Sequence, residues 1–161
     1  MARIEQRLTE LGFTLPAPMA LPAGVTLPFP FVQIRGARVL ISGHGPLSLD
    51  GSIAQPLGKL GAKLTVDQGY AAARLTGLAI LSSLKSALGD LDRITSWTRI
   101  FGMVNSAPGF IAQPAVINGF SDLIIALYGV ERGAHTRSAV GMAELPFNIP
   151  VEIEGEAEIS T

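Results

Sequence analysis

Two long runs of this chain repeat apolar residues at helical spacing, and several shorter runs alternate apolar and polar residues as a strand does. Thr65 to Leu88 is the clearest helix: Val66, Tyr70, Ala73, Gly77, Ile80, Leu81, Leu84 and Leu88 form one apolar stripe. Thr65 and Gln68 stand at the N-cap and N3 positions of a capping box, and Gly89 stands where a left-handed C-terminal residue belongs. The small residues Ala73 and Gly77 would let this helix approach a sheet closely. Pro114 suits the first turn of a second helix that runs to Tyr128 and stops at Gly129, with Ile117, Phe120, Ile124, Leu127 and Tyr128 on its inner face. Ile4, Leu8 and Leu11 predict a short helix over residues 2 to about 11, ended by Gly12.

Strand signals fill the intervals. Phe31 to Ile34 and Arg38 to Ser42 are β-rich runs separated by Gly36, and Asp50-Gly51 is a hairpin signal. Residues 52 to 64, with Pro56, Gly58 and Gly61, read as a loop. Ile94 to Val104 reads as a strand followed by a turn over Asn105 to Gly109, and Thr136 to Met142 and Val151 to Ile159 read as two closing strands. The five prolines between residues 14 and 30 exclude helix and central strand there, so that segment reads as an extended surface arm. The order is β-β-(hairpin)-α-β-α-β-β. It predicts an α+β two-layer domain over residues 28–161, two helices on one face of a mixed sheet, preceded by a helix and proline-rich arm over residues 1–27.

Composition narrows the functional classes. At 161 residues the chain holds one domain with a real core, and its hydrophobic fraction of 48% marks it as folded. That apolar excess suggests some surface buried between subunits. Lys plus Arg number 12 against 13 acidic residues, with no basic run and no interleaved aromatics, so no nucleic-acid partner is expected. The absence of Cys excludes disulfides, thiolate nucleophiles and thiolate metal sites. The N-terminal segment has mixed charge and no apolar core of a signal peptide, and no run approaches the ~18 apolar residues of a membrane span. A cytoplasmic protein with no membrane partner is the expectation.

The last strand carries the most chemistry. Alternation over Val151-Glu152-Ile153-Glu154-Gly155-Glu156-Ala157-Glu158-Ile159 puts four Glu on one face. Most would be solvated, but one held in a pocket would be a natural general acid/base. Arg137 opens the preceding strand. Antiparallel pairing of the last two strands would bring it toward a Glu, either as an ordinary cross-strand salt bridge or as a bidentate grip on a substrate carboxylate. His44 lies between Gly43 and Gly45 at a strand end, where glycines allow close approach of a ligand; a plain turn histidine is as good a reading. His135 has no second ligand at metal spacing, and no GxGxxG, GxxxxGK[ST] or GxSxG pattern exists, so neither a metal nor a cofactor is expected.

Arg137-Ser138-Ala139-Val140, then Leu145-Pro146, then Val151-Glu152-Ile153-Glu154 resembles, without gaps, the C-terminal signature of the RidA (YjgF-type) family. Pro30-Phe31-Val32-Gln33, Ile41-Ser42-Gly43 and Gly89-Asp90-Leu91 resemble upstream family segments in the right order, so the likeness spans about residue 28 to the C-terminus. The resemblance implies a chorismate-mutase-like fold and a homotrimer with sheets facing inward and three ligand sites in the clefts between subunits. It implies hydrolysis of reactive enamines and imines of the 2-aminoacrylate type to 2-keto acids and ammonia. By the same resemblance Arg137 grips a small carboxylate substrate, Glu152 positions the attacking water, and the backbone N–H of Ala139 contacts the carboxylate. Phe31, Ser42, Gly43, His44 and Asn118 complete the implied substrate-binding set. Phe31 replaces the family's Tyr, His44 stands where a Gln is common, and Asn118 is the nearest candidate for the family's Asn. The run Asn118 to Leu123 is similar to that of a divergent branch. The family is also often named for endoribonuclease activity, against which the low basic content argues. Two functions follow: an enamine/imine deaminase, favoured by the pair Arg137 and Glu152, or a non-catalytic trimeric binding module for a small carboxylate metabolite, favoured by the lost Tyr hydroxyl.

Overall fold

The computed structural model describes residues 3–160. Helix α1 spans Arg3–Glu10; strands β1 (Val32–Arg35) and β2 (Arg38–His44) follow the arm. Helix α2 (Val66–Leu88), strand β3 (Ile94–Asn105), helix α3 (Gln113–Gly133), and strands β4 (Thr136–Met142) and β5 (Val151–Ile159) complete the chain. The α+β order read from the periodicity is the order observed. Thr65 caps α2 with both halves of the capping box in place, and Gly89 ends it at φ +77°. Gly129, at φ +73°, breaks α3 where expected, but one further turn continues to Gly133.

The five strands form one mixed sheet in the order β1-β2-β5-β3-β4. All neighbours are antiparallel except β3 and β4, which run parallel and are joined by α3. The last two strands therefore do not pair, contrary to the expectation from the sequence. β3, twelve residues long, inserts between them, and the crossover through α3 places β4 at the sheet edge. A strand–helix–strand unit lays its second strand parallel to its first, and that geometry overrides the usual pairing of sequence neighbours.

Helices α2 and α3 cover one sheet face, and α1 packs against α3. The core between the layers contains Val39, Ile41, Trp97, Ile100, Val151, Ile153 and Ala157 from the sheet and Ile80, Leu84, Ile117, Phe120 and Ile124 from the helices; Ile4 and Leu8 of α1 join it. Gly102 gives α3 its close approach to β3, since a Cβ there would lie 2.6 Å from Ile117 Cγ1. Among the described residues no helix covers the other face, which carries Glu152, Glu154, Glu156 and Glu158 together with half-buried Leu40, Phe101, Met103 and Val140. The arm is fastened down by hydrogen bonds from Ala17 N to Leu49 O (2.9 Å), from Ala20 N to Gly51 O (3.0 Å), and from Ser82 Oγ to Pro16 O (2.7 Å). The Asp50-Gly51 turn lies in a small hairpin closed by a Leu47–Ile53 bridge. Among the described residues no helix is long and apolar enough to cross a membrane.

Candidate functional site

Strand β5 carries Glu152 to the end of the sheet, opposite Met103 of β3 and beside the last turn of β2. Its side chain is half-buried against the backbone of Gly43: a Cβ at that position would lie 2.1 Å from Glu152 Oε1. A bulge between Ile41 and His44 re-aims the end of β2 there. Loss of water raises the Glu152 carboxyl above its ordinary carboxylate range, and the charge of Glu154 adds to the rise. Its outward neighbours are less confined: Glu154 and Glu158 are exposed, and Glu156 pairs with Arg38 at 2.6 Å.

His44 is 5% exposed. Its Nδ1 lies 2.7 Å from the Ser42 carbonyl oxygen and its Nε2 2.9 Å from Ser83 Oγ. A carbonyl can only accept, so Nδ1 carries the proton and the Ser83 hydroxyl of α2 donates to Nε2. Burial lowers the His44 pKa, which keeps the ring neutral in that arrangement. The Phe31 ring packs on the imidazole with centroids 4.9 Å apart. Phe31, Gly43, His44, Ser83 and Glu152 line one cavity of about 540 Å³, roofed by residues 17–22, Val25, Leu27 and Phe29. Ser42 turns away from it, donating through Oγ to Pro30 O (2.8 Å) and bordering a groove of about 490 Å³ on the open sheet face.

Arg137 lies elsewhere. It sits opposite Ile100 on β3, whereas Glu152 sits opposite Met103, three residues along an unbroken register. Successive residues of a strand point to opposite faces; Arg137 is thus on the helix side of the sheet and Glu152 on the open side, with β3 between. The guanidinium donates to Asn118 Oδ1 (2.9 Å) and to Ser121 Oγ (3.0 Å) on α3. Ala139 shares that side, partly buried against the core. The expected meeting of Arg137 with a Glu within one chain is therefore corrected: the crossover separates them.

The run Asn118 to Leu123 acquires a physical account. Asn118 and Ser121 hold Arg137; a Cβ on Gly119 would lie 2.0 Å from Tyr70 O, so only glycine lets α2 and α3 approach this closely. Asp122 accepts from the Tyr70 hydroxyl at 2.9 Å, and Leu123 packs where Gly77 leaves room. His135 is fixed by Gly133 O through Nδ1 and by Ser121 Oγ through Nε2. Sequence reasoning passed over Ser83 and the arm residues. The signal for Ser83 was the pair of polar residues Ser82-Ser83 interrupting the apolar stripe of α2; for the arm it was Leu21, Val25, Leu27 and Phe29 between the prolines.

The comparisons with known proteins agree with this architecture. Residues 5–154 match the family described as "YjgF/chorismate_mutase-like, putative endoribonuclease". A Trypanosoma cruzi protein, TCP17, is 40% identical over 158 residues, covering 98% of this chain and 95% of its own length. The crystal structure of Atu1372 from Agrobacterium tumefaciens, a protein described as of unknown function, superposes with a TM-score of 0.87 at 41% identity, covering 99% of this chain and 93% of that one. The structure of Escherichia coli TdcF with bound serine shares the fold at a TM-score of 0.57 and 23% identity, covering 91% and 96%. The α+β two-layer fold with its β3–α3–β4 crossover defines the class, and the chain belongs to the YjgF/RidA family with its chorismate-mutase-like fold.

Proposed function

We propose that the protein hydrolyses reactive imines of small 2-amino acids to 2-keto acids and ammonia, at sites assembled between copies of the chain in a homotrimer. The observation that carries this reading is the Glu152 carboxyl, half-buried against Gly43 at a cavity wall and raised in pKa by desolvation. Such a group exchanges a proton near neutral pH more readily than a solvated carboxylate does. As carboxylate, Glu152 takes a proton from water as the oxygen bonds to the carbon of the protonated imine and the C=N pair moves to nitrogen. As acid, it returns that proton to the amino nitrogen of the resulting carbinolamine. Ammonia departs with the C–N electron pair as the carbinolamine hydroxyl gives its proton back to Glu152 and the C–O bond becomes a carbonyl.

Arg137 supplies the grip on the substrate carboxylate from a neighbouring copy. Its edge-strand position and its three bonds to α3, to Asn118 Oδ1, Ser121 Oγ and Pro114 O, leave two of the five guanidinium N–H donors for that purpose. The bare sheet face, with its half-buried Leu40, Phe101, Met103 and Val140, supports burial against another copy. The serine bound to TdcF, an amino acid with a carboxylate, is in keeping with such a substrate. A non-catalytic carboxylate-binding module is the second reading, favoured by Phe31, which offers His44 a ring face and no hydroxyl.

The test is release of pyruvate from 2-iminopropionate generated by a dehydratase. Wild-type protein accelerates it, and Glu152→Gln loses on the order of 10²–10⁴-fold in rate with its fold intact. Undiminished turnover in Glu152→Gln, or none in wild type, would favour the binding module.

A further inference from the structure

The cavity beside Glu152 is much larger than a three-carbon imine needs. Its volume of about 540 Å³ lies in the range of pockets that enclose whole drug-sized ligands. Its polar side chains are few: the Glu152 carboxylate lies against Gly43, His44 bonds to Ser83, and Ser82 is already committed to Pro16 O. The rest of the wall is apolar, from the arm with Phe31, the 46–53 hairpin, Ala79 of α2, and Pro146, Phe147 and Ile149. Water needs two to four polar partners to be held, and most of this wall offers none.

A second observation points the same way. Of the eight large hydrophobic side chains that are exposed among the described residues, four (Leu21, Val25, Phe29 and Phe147) line this one cavity. They are not on a loose segment, since the arm is hydrogen-bonded to the hairpin at Ala17 and Ala20. Phe147 is held there at a cost. It and Asn148 both adopt left-handed backbone conformations, φ +55° and +57°, and Asn148 Oδ1 accepts from Asn105 Nδ2 at 3.1 Å. An aromatic residue in that region is uncommon and persists where its surroundings over-determine it. The result is a phenyl ring, 69% exposed, at the rim of an apolar pocket.

We propose that the arm-roofed cavity is a side-chain pocket that selects ligands with a bulky aliphatic or aromatic tail, their polar head placed at Glu152, His44 and Ser83. The substrate class is then the imines of leucine- or phenylalanine-like 2-amino acids rather than of alanine or serine. The chemistry at the head rests on the imine-hydrolysis reading above; the selection for an apolar tail does not.

Two measurements separate these. In the first, imines are generated in situ by an amino-acid oxidase from L-alanine, L-leucine and L-phenylalanine, and keto-acid release is followed with wild type and with Val25→Asp, a change on an exposed arm residue. The leucine- and phenylalanine-derived imines should be preferred by at least ~10-fold in kcat/KM, and Val25→Asp should bring that ratio toward one. Equal or better turnover of the alanine-derived imine by wild type overturns the proposal while leaving imine hydrolysis standing. In the second, calorimetry compares binding of pyruvate and of 4-methyl-2-oxopentanoate. Selective binding of the latter, lost in Val25→Asp, upholds the pocket even if no imine is turned over, in which case only the reaction falls. Binding of neither, or a Val25→Asp variant that changes oligomeric mass and leaves selectivity untouched, assigns the arm residues to a subunit contact and overturns the pocket.

Discussion

Gly43 and Glu152 define each other at the level of single residues. The space that a Cβ would take at position 43 holds the Glu152 carboxylate, with 2.1 Å between them. The backbone of Gly43 is not in the left-handed region, so alanine fits it without strain; what must move is the end of a flexible side chain. Gly43→Ala should therefore fold with a melting temperature close to wild type yet displace the carboxylate, and misplacement of about 1 Å can cost about 10²-fold in rate. Retention of full activity would mean that Glu152 does not act from this position. The raised Glu152 pKa gives a second expectation. An acid whose folded pKa lies above its unfolded one binds more protons when folded, so stability falls as pH rises through the ordinary carboxylate range, from about pH 4 upward, to the folded pKa. Glu152→Gln removes that loss. It should melt higher than wild type at neutral pH and converge with it near pH 3.5, a comparison that thermal unfolding at the two pH values decides.

The elements were legible to different degrees, for different physical reasons. Helix α2 declares itself because its cap, its stripe and its terminal glycine are all local, and Thr65, Gln68 and Gly89 act as their spacing says. The alternation of β5 likewise foretold which Glu share a face. Strand partners are another matter: nothing local distinguishes a β4–β5 hairpin from a β3–α3–β4 crossover, and the choice between them decides on which face Arg137 emerges. The match to family motifs put Arg137 and Glu152 at their places in the chain but said nothing of the sheet between them. The approach of α2 to α3 was half legible. Gly77 stood out within its stripe, but as a point of approach to a sheet, whereas it faces Leu123 and Phe120 of α3; Gly119, within 2.0 Å of Tyr70 O for an added Cβ, was seen only as part of a run. Because its obstacle is backbone, Gly119→Ala has to push the helices apart, and a cost of about 1–3 kcal/mol is expected in urea unfolding. The same shift carries Asn118 and Ser121 away from Arg137, so this variant should also weaken carboxylate binding. Stability within ~0.5 kcal/mol of wild type would show that the interface has slack the structure does not suggest.

At the scale of the whole molecule the question is how two groups on opposite sides of one sheet serve one reaction. Arg137 emerges beside α3 at the β4 edge, and Glu152 faces the uncovered side two strands away, so no side-chain rotation brings them together. If both act on one substrate, they come from different copies. The open face, acidic along β5 yet apolar at Leu40, Phe101, Met103 and Val140, is the surface such an assembly would bury. Subunit mixing tests this directly. Arg137→Ala and Glu152→Gln should each be inactive alone. When the two are unfolded together and refolded, a cyclic trimer with sites between neighbours places an intact Arg137 next to an intact Glu152 in some clefts. With equal mixing, one cleft in roughly four carries both intact residues, so roughly a quarter of the wild-type rate should return. A site contained within one chain regains nothing, because every chain then lacks one of the two groups. Light scattering on the same samples gives the assembly: a trimer without recovered activity would separate Arg137 from the chemistry and leave Glu152 and the cavity as the whole of the site, whereas a monomer would remove the intersubunit arrangement altogether.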